Sequence, residues 1–205
     1  MKTLLRCLGV LLVAAGVYFA VHHFRKDRLS SGGGRLTVHF TCDSSGRLEP
    51  CGCFTGQHGG LTRLSTWLDK RKESGPVLKL DAGGAIAGGA DYDLIQYRYL
   101  ARAYATMGFS ALNMGGREAA IPAADLVKLS AVSAVPMLSA SLVSSSTRQP
   151  LMTPYRVVEI EGLRIGILGV VSPRSVPVPG DGVTVLGLNE AIDLQLPKVA
   201  AESDL

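Results

Sequence analysis

Four short apolar runs, most of them closing on small or turn-forming residues and followed by a segment of helical period, dominate residues 36–140. Leu36-Thr-Val-His-Phe-Thr-Cys42 alternates apolar and polar side chains with period two, the pattern of a strand. Pro76–Asp81, Ala111–Met114 and Pro136–Ala140 read as three further short strands. Between the first two, Leu61, Leu64, Trp67 and Leu68 mark one helical face, stopped by Gly75-Pro76. Tyr97, Leu100, Ala101, Tyr104 and Met107 mark a second face at i, i+3, i+4, i+7 spacing, with Gly108 as its cap. Pro122 suits the first turn of a third helix, which runs through Leu129. Alternation of this kind specifies an α/β sheet that is partly parallel. Tyr155–Ile160 and Arg164–Val171 flank Glu161-Gly162, a hairpin signal that adds an antiparallel pair. Asn189–Ala201 is read as a last helix.

In open α/β sheets, ligands bind beyond the C-terminal ends of the strands. That rule singles out four loops: Asp43–Gly60, Ala82–Ala90, Gly115–Glu118 and Ser172–Pro179. The first three are glycine-rich. A strand-to-helix turn asks for glycine on its own account, but three such loops together leave the backbone open around one crevice.

The 205 residues are 47% hydrophobic and 19% charged, which excludes a disordered chain and a coiled coil. The net charge of +4 leans on Lys2, Arg6, Arg25, Lys26 and Arg28, near the N-terminus. No Lys/Arg run with interleaved aromatics occurs in the body, so no nucleic-acid partner is expected. Leu8–Val21 is an unbroken apolar and small stretch between basic flanks. It is shorter than the ~20 residues of an ordinary span, and Leu4, Leu5 and Cys7 extend it if Arg6 snorkels to the headgroups. Two readings stay open for residues 1–28, an uncleaved membrane anchor and a cleaved signal segment. Both place the body on an extracytoplasmic face, in a periplasm or at a cell surface, or secreted after cleavage. Ser30-Ser31-Gly32-Gly33-Gly34 makes residues 29–34 a flexible linker, and one domain fits residues 35–205.

The series LTVHFTCDSSGRLEP, GGLTRLSTWL, PVLKLDAGG, MGFSALNMGGRE, VPMLSASL and PYRVVEIEGLRIGILGVVSP resembles the N-terminal metallophosphoesterase domain of 5'-nucleotidases. These belong to the calcineurin-like, metal-dependent phosphatases. The resemblance covers roughly Leu36–Pro173. It implies a metallophosphoesterase-like α/β sandwich, mixed sheets flanked by helices, ending here before the family's C-terminal motifs. It also implies two divalent metals at the strand ends that activate water against a phosphoester or nucleotide. The family's ligands carry over poorly. In the first motif, Asp-x-His, Asp43 keeps the Asp and Ser45 stands at the His. In the second, Gly-Asp, the bridging Asp is Gly84. In the third, Gly-Asn-His-Glu, Gly116 and Arg117 replace the Asn and His. Two metals need four to six N/O ligands each, so an ordinary dinuclear phosphatase is not expected. Arg117 and Glu118 are expected to pair across the crevice and fill that room.

The loop Glu49-Pro-Cys-Gly-Cys53, followed by Gly59-Gly60-Leu61-Thr62-Arg63, resembles a divergent extracytoplasmic subgroup with Pro-Cys-Gly-Cys. Asp43, Cys51, Cys53 and His58 could together hold Zn or another divalent metal. Alternatively, Cys42 pairs with Cys51 or Cys53 as a disulfide in an oxidising compartment, or the thiols act in redox exchange. Gly59, Gly60 and Arg63 open a helix, where free N–H groups and the dipole favour an anion. An uncleaved anchor predicts that the native protein stays in carbonate-washed membranes with an intact N-terminus. Recovery in the soluble fraction without detergent, N-terminus intact, refutes it, and an N-terminus after Gly16 or Ala20 favours the cleaved signal.

Overall fold

The computed structural model describes residues 35–50, 52, 58–71, 73 and 75–205. The anchor candidate at 8–21, the linker at 29–34, Cys51 and Cys53 lie outside the described residues. Among the described residues no helix is long and apolar enough to cross a membrane.

Eight strands follow in chain order: β1 (Thr37–Thr41), β2 (Val77–Asp81), β3 (Ala111–Asn113), β4 (Met137–Leu138), β5 (Leu142–Ser144), β6 (Tyr155–Ile160), β7 (Leu163–Leu168) and β8 (Val183–Val185). The helices are α1 (Leu61–Lys70), α2 (Asp91–Thr106), α3 (Ala123–Val132) and α4 (Leu188–Glu202). Strands β1 to β4 form one parallel sheet in the order 1-2-3-4, with Thr41 opposite Asp81 and Asp81 opposite Leu112. Parallel neighbours need a crossover, and α1, α2 and α3 supply one each. Strands β6 and β7 form the expected hairpin about Glu161-Gly162, with Tyr155 opposite Leu168. A second antiparallel pair, β5 with β8, has no counterpart in the sequence pattern, because three residues are too few to show a period.

The four apolar runs form strands where the spacing puts them, but β1 presents its apolar side chains outward. Val38 and Phe40 are 45% and 71% exposed, while Thr37, His39 and Thr41 are half-buried. Trp67 of the first helical face is exposed as well. Tyr97, Leu100, Ala101 and Tyr104 of α2 are all within 1% of complete burial. They pack with Leu112 and Met114 from the β3 run and Leu126 of α3. Each large apolar side chain so buried contributes roughly 1.5–3 kcal/mol. The fourth strand is shorter than its run predicts. The Ser139 hydroxyl accepts the N–H groups of Ser141 and Leu142, at 3.3 and 3.2 Å. Such a local side-chain turn competes with the sheet ladder and redirects the chain into β5. The hairpin's second strand stops at Leu168, where the Gly169 N–H turns to the Pro154 carbonyl.

Buried tyrosines divide into two kinds. The Tyr97 hydroxyl is buried with no hydrogen-bond partner. The Tyr104 hydroxyl donates to Asp81 at 3.1 Å and lies 2.7 Å from Ser44 Oγ. An unmade buried hydrogen bond costs about 1–3 kcal/mol, and a satisfied one is lost at similar cost. Tyr97→Phe therefore leaves the unfolding free energy unchanged or raises it by up to ~1 kcal/mol, whereas Tyr104→Phe lowers it by about 1–3 kcal/mol. Urea denaturation of both variants checks the contrast, and a larger loss for Tyr97→Phe contradicts it.

Candidate functional site

The C-terminal ends of β1, β2 and β3 open into loops that are tied to one another by the main chain. The segment after β1 runs beside the segment after β2: Asp43 N–H donates to Gly83 O at 2.9 Å, Ser45 N–H to Gly84 O at 3.0 Å and Gly46 N–H to Ala85 O at 2.7 Å. Asp43 and Ser45 adopt left-handed backbone, φ 50° and 49°, which non-glycine residues rarely do without such ties. Glu118 fastens the third loop. Its carboxylate, 1% exposed, accepts Gly84 N–H at 3.0 Å, Ile86 N–H at 3.0 Å and Gly115 N–H at 2.9 Å. One side chain thus joins the β2 and β3 loops. Above these loops lies a crevice of about 650 Å³. Cys42 and Asp43, Gly83 and Gly84, Gly115 to Arg117, and Ser172 and Ser175 line it, one group from each of the four loops that the strand-end rule singles out.

Beneath the crevice floor lies a polar cluster that sequence reasoning missed. Asp81 Oδ2 accepts from Thr41 Oγ1 at 2.6 Å and from Tyr104, and Asp81 Oδ1 accepts from Gly83 N–H at 2.9 Å. Burial raises the Asp81 pKa to about 6. The hydrogen bonds from Thr41, Gly83 and Tyr104 oppose that rise, and the nearby Glu118 charge adds to it. Burial also raises the Tyr104 hydroxyl, with the Asp81 charge reinforcing it. The one sequence signal for this cluster is a polar residue at the end of each of two adjacent strands, Thr41 and Asp81. Asn113, at the end of β3, was missed as well. Its amide donates to Ala82 O at 3.0 Å and Val170 O at 2.9 Å, and its Oδ1 is buried without a partner.

The residues picked out in the sequence meet different fates. Cys42 is a free, exposed thiol on the crevice wall beside the exposed Asp43. Cys51 and Cys53 lie outside the described residues, so the Cys51/Cys53 metal set and the disulfide are not placed. Among the described residues no three His, Cys, Asp or Glu side chains are arranged to hold a metal. His58 is exposed. Gly60 caps α1, and the Leu61 N–H donates to Leu48 O at 3.0 Å, so the first amide of that helix is used within the chain. Gly59 precedes it, and Arg63 is exposed on the first turn. At Gly84, φ +73°, a Cβ would collide with the Asp43 carboxylate and lie 3.1 Å from the Asp43 Cα. At Gly116 a Cβ would collide with the backbone carbonyl of Ser175. The Ser45 hydroxyl donates to the Asp43 carbonyl at 3.1 Å. The expected Arg117–Glu118 pair does not form. Three backbone N–H groups take up the buried Glu118, while Arg117 is exposed at the crevice wall.

Comparison with known proteins agrees with this geometry. No protein-family model matches the chain. It is 28% identical over 178 residues to a 5'-nucleotidase of Vibrio parahaemolyticus, 82% of this chain and 30% of that protein. It is 27% identical over 143 residues to a 5'-nucleotidase of Vibrio cholerae, 66% of this chain and 25% of that protein. The chain therefore spans between a quarter and a third of the length of these relatives. Among solved structures, a 5'-nucleotidase precursor of Thermus thermophilus superposes with a TM-score of 0.65 at 27% identity, covering 81% of this chain and 34% of its own. The calcineurin-like phosphoesterase YfkN of Bacillus subtilis superposes with a TM-score of 0.65 at 18% identity, covering 82% of this chain and 58% of its own. That second likeness is one of fold alone.

The Asp81 cluster makes stability depend on pH with a definite sign. The carboxyl is held at about 6 in the fold against 3.8 in the free residue. Between these values the folded chain keeps a proton that the unfolded chain has released. The contribution of Asp81 to stability is therefore greatest below pH ~4, falls as pH rises to about 6 and levels off above. About two pH units at 1.36 kcal/mol each set an upper limit near 3 kcal/mol for the fall. Asp81→Asn flattens the curve over pH 4–6, measured by urea titration at each pH. An unchanged slope in that variant contradicts the assignment.

Proposed function

The chain belongs to the calcineurin-like, metal-dependent phosphoesterase superfamily, and from that premise we propose a divergent 5'-nucleotidase-like protein, held at a membrane by residues 8–21, that binds a phosphoester or nucleotide in the strand-end crevice without the family's two-metal hydrolytic centre. The observation that carries this reading is the crowding at position 116. A side chain there meets the Ser175 backbone, which has no rotamer by which to withdraw. Position 84 is crowded as well, by the Asp43 backbone and its more mobile carboxylate. Two-metal hydrolysis needs a bridging carboxylate and several nitrogen ligands around one water. Among the described residues the crevice offers Asp43, a thiol at Cys42 and the Asn113 Oδ1, and that set does not fit two metals. Arg117 stands at the crevice wall where the resemblance has a histidine, and a guanidinium suits a phosphate through paired N–H contacts.

A second reading rests on Cys42. A free thiol in the crevice wall, next to Asp43, belongs to the same loop as Cys51, Cys53 and His58. Those residues together could hold one soft divalent ion such as Zn, or exchange with a disulfide.

One set of measurements separates these readings. Elemental analysis of purified protein, with turnover of p-nitrophenyl phosphate and nucleotides, is expected to find fewer than two equivalents of Mn, Fe or Zn and no turnover. Nucleotide binding by calorimetry should weaken at least tenfold in Arg117→Ala. Gly116→Asn should lower the melting temperature rather than restore hydrolysis. Two equivalents of metal with turnover overturn the first reading. One equivalent of Zn that is lost in Cys53→Ser and kept in Ser45→Ala supports the second. A disulfide from Cys42 to the loop, with the remaining thiol buried and unreactive, excludes the second.

A further inference from the structure

Helix α2 buries one face and leaves an unusual one outside. Tyr92, Ile95 and Tyr99 lie along one stripe and are 71%, 53% and 57% exposed. Arg98 and Arg102 lie beside them, and Val132 at the end of α3, 58% exposed, borders the same groove of about 510 Å³. Scattered exposed apolar residues are ordinary, but a contiguous set marks a surface that meets something. No carboxylate lines the groove. Neither arginine takes part in an ion pair found among the described residues, and the one acid of α3, Asp125, is held by Lys128 at 2.9 Å.

Topology decides where this patch lies. The strands of a parallel sheet all begin at one end. The last turns of α2 and α3 feed β3 and β4, so Arg102 and Val132 lie at that end, while Tyr92, in the first turn of α2, lies toward the other. The patch runs along the side of the sheet. The crevice lies beyond the strand C-termini.

We infer that the α2–α3 groove is a docking surface for an anionic lipid bilayer. Tyrosine suits the headgroup layer because its ring is apolar and its hydroxyl wet. Arginine lays its stem on apolar surface and extends its charge to lipid phosphate. Arg98 and Arg102 line the groove with no carboxylate among its lining residues, the exposed Asp91 lying at the far end of the stripe, and this balance complements anionic headgroups. The inference rests on the anchor reading of residues 8–21. Fifteen residues, His22 to Leu36, separate the anchor candidate from β1, and such a length spans at most about 50 Å whatever its conformation. A tether this short presents the body to the bilayer at high effective concentration. The groove and the crevice share no lining residue, so docking along this side leaves the crevice walls uncovered.

The test uses the full chain in nanodiscs, either pure phosphatidylcholine or a 3:1 mixture with phosphatidylglycerol, each doped with a photoactivatable phospholipid. Adducts are mapped by mass spectrometry. The expected result is labelling of peptides spanning 92–102 and 127–134 that is at least fivefold stronger with phosphatidylglycerol. It should fall to the phosphatidylcholine level in an Arg98→Glu/Arg102→Glu variant and return in Arg98→Lys/Arg102→Lys. Equal labelling in the two lipids, or labelling confined to other peptides, overturns the docking surface. Protection of the two peptides from surface labelling that grows with protein concentration in detergent, without lipid, points to a second copy instead and also overturns it. Failure of the anchor reading is read separately, as recovery of the chain in the lipid-free fraction after flotation.

Discussion

A single buried carboxylate holds the strand-end architecture together. Glu118 takes N–H groups from Gly84, Ile86 and Gly115, so the loops after β2 and β3 share one acceptor. Glycine-rich loops cost conformational entropy to order and have few side chains with which to repay it. Here their amides find a fixed partner inside the fold, and the loop after β1 is then laid along them by three further main-chain bonds. Losing this acceptor would orphan three buried donors at once, a far larger penalty than one missing contact.

The same ties determine what chemistry the crevice can host. The loops approach closely at two points that line the crevice. The Ser175 carbonyl abuts Gly116, and Asp43 abuts Gly84. Among the described residues the crevice walls carry one carboxylate, one thiol, an unpartnered amide oxygen and an arginine. On the proposed reading that donor set serves recognition of an anion, or capture of a single soft ion. Below it the Asp81, Tyr104, Thr41 and Ser44 cluster supports the floor, with a carboxyl that burial keeps protonated to about pH 6.

The strand ends and the flank of the parallel sheet then carry different tasks. The strand C-termini frame the crevice, and the outer side of α2, from Tyr92 to Arg102, carries the aromatic and basic side chains along the flank of the sheet. A parallel sheet with helical crossovers imposes this arrangement, because every strand runs one way and every returning helix runs back against it.

How much of this was legible in the chain follows from range. Period-two and period-3.6 patterns are local, so the sequence alone placed the four apolar runs, the buried face at Tyr97, Leu100, Ala101 and Tyr104, and the hairpin at Glu161-Gly162. The strand-end rule needs only strand order, and it found all four loops of the crevice. Substitutions at Ser45, Gly84, Gly116 and Arg117 are likewise visible in one dimension. Only the tertiary structure decided what the remaining polar residues do. Glu118 was expected to meet its sequence neighbour Arg117, yet it turns inward to amides 32 and 34 residues away, because three buried N–H donors outweigh one exposed guanidinium. Thr41 and Asp81 become partners only through the register of β1 on β2. The arrest of β4 at Leu138 and the pairing of β5 with β8 depend, respectively, on a side-chain turn at Ser139 and on strands about 40 residues apart. Local periodicity carries no record of such contacts, since they exist only once the chain has closed on itself.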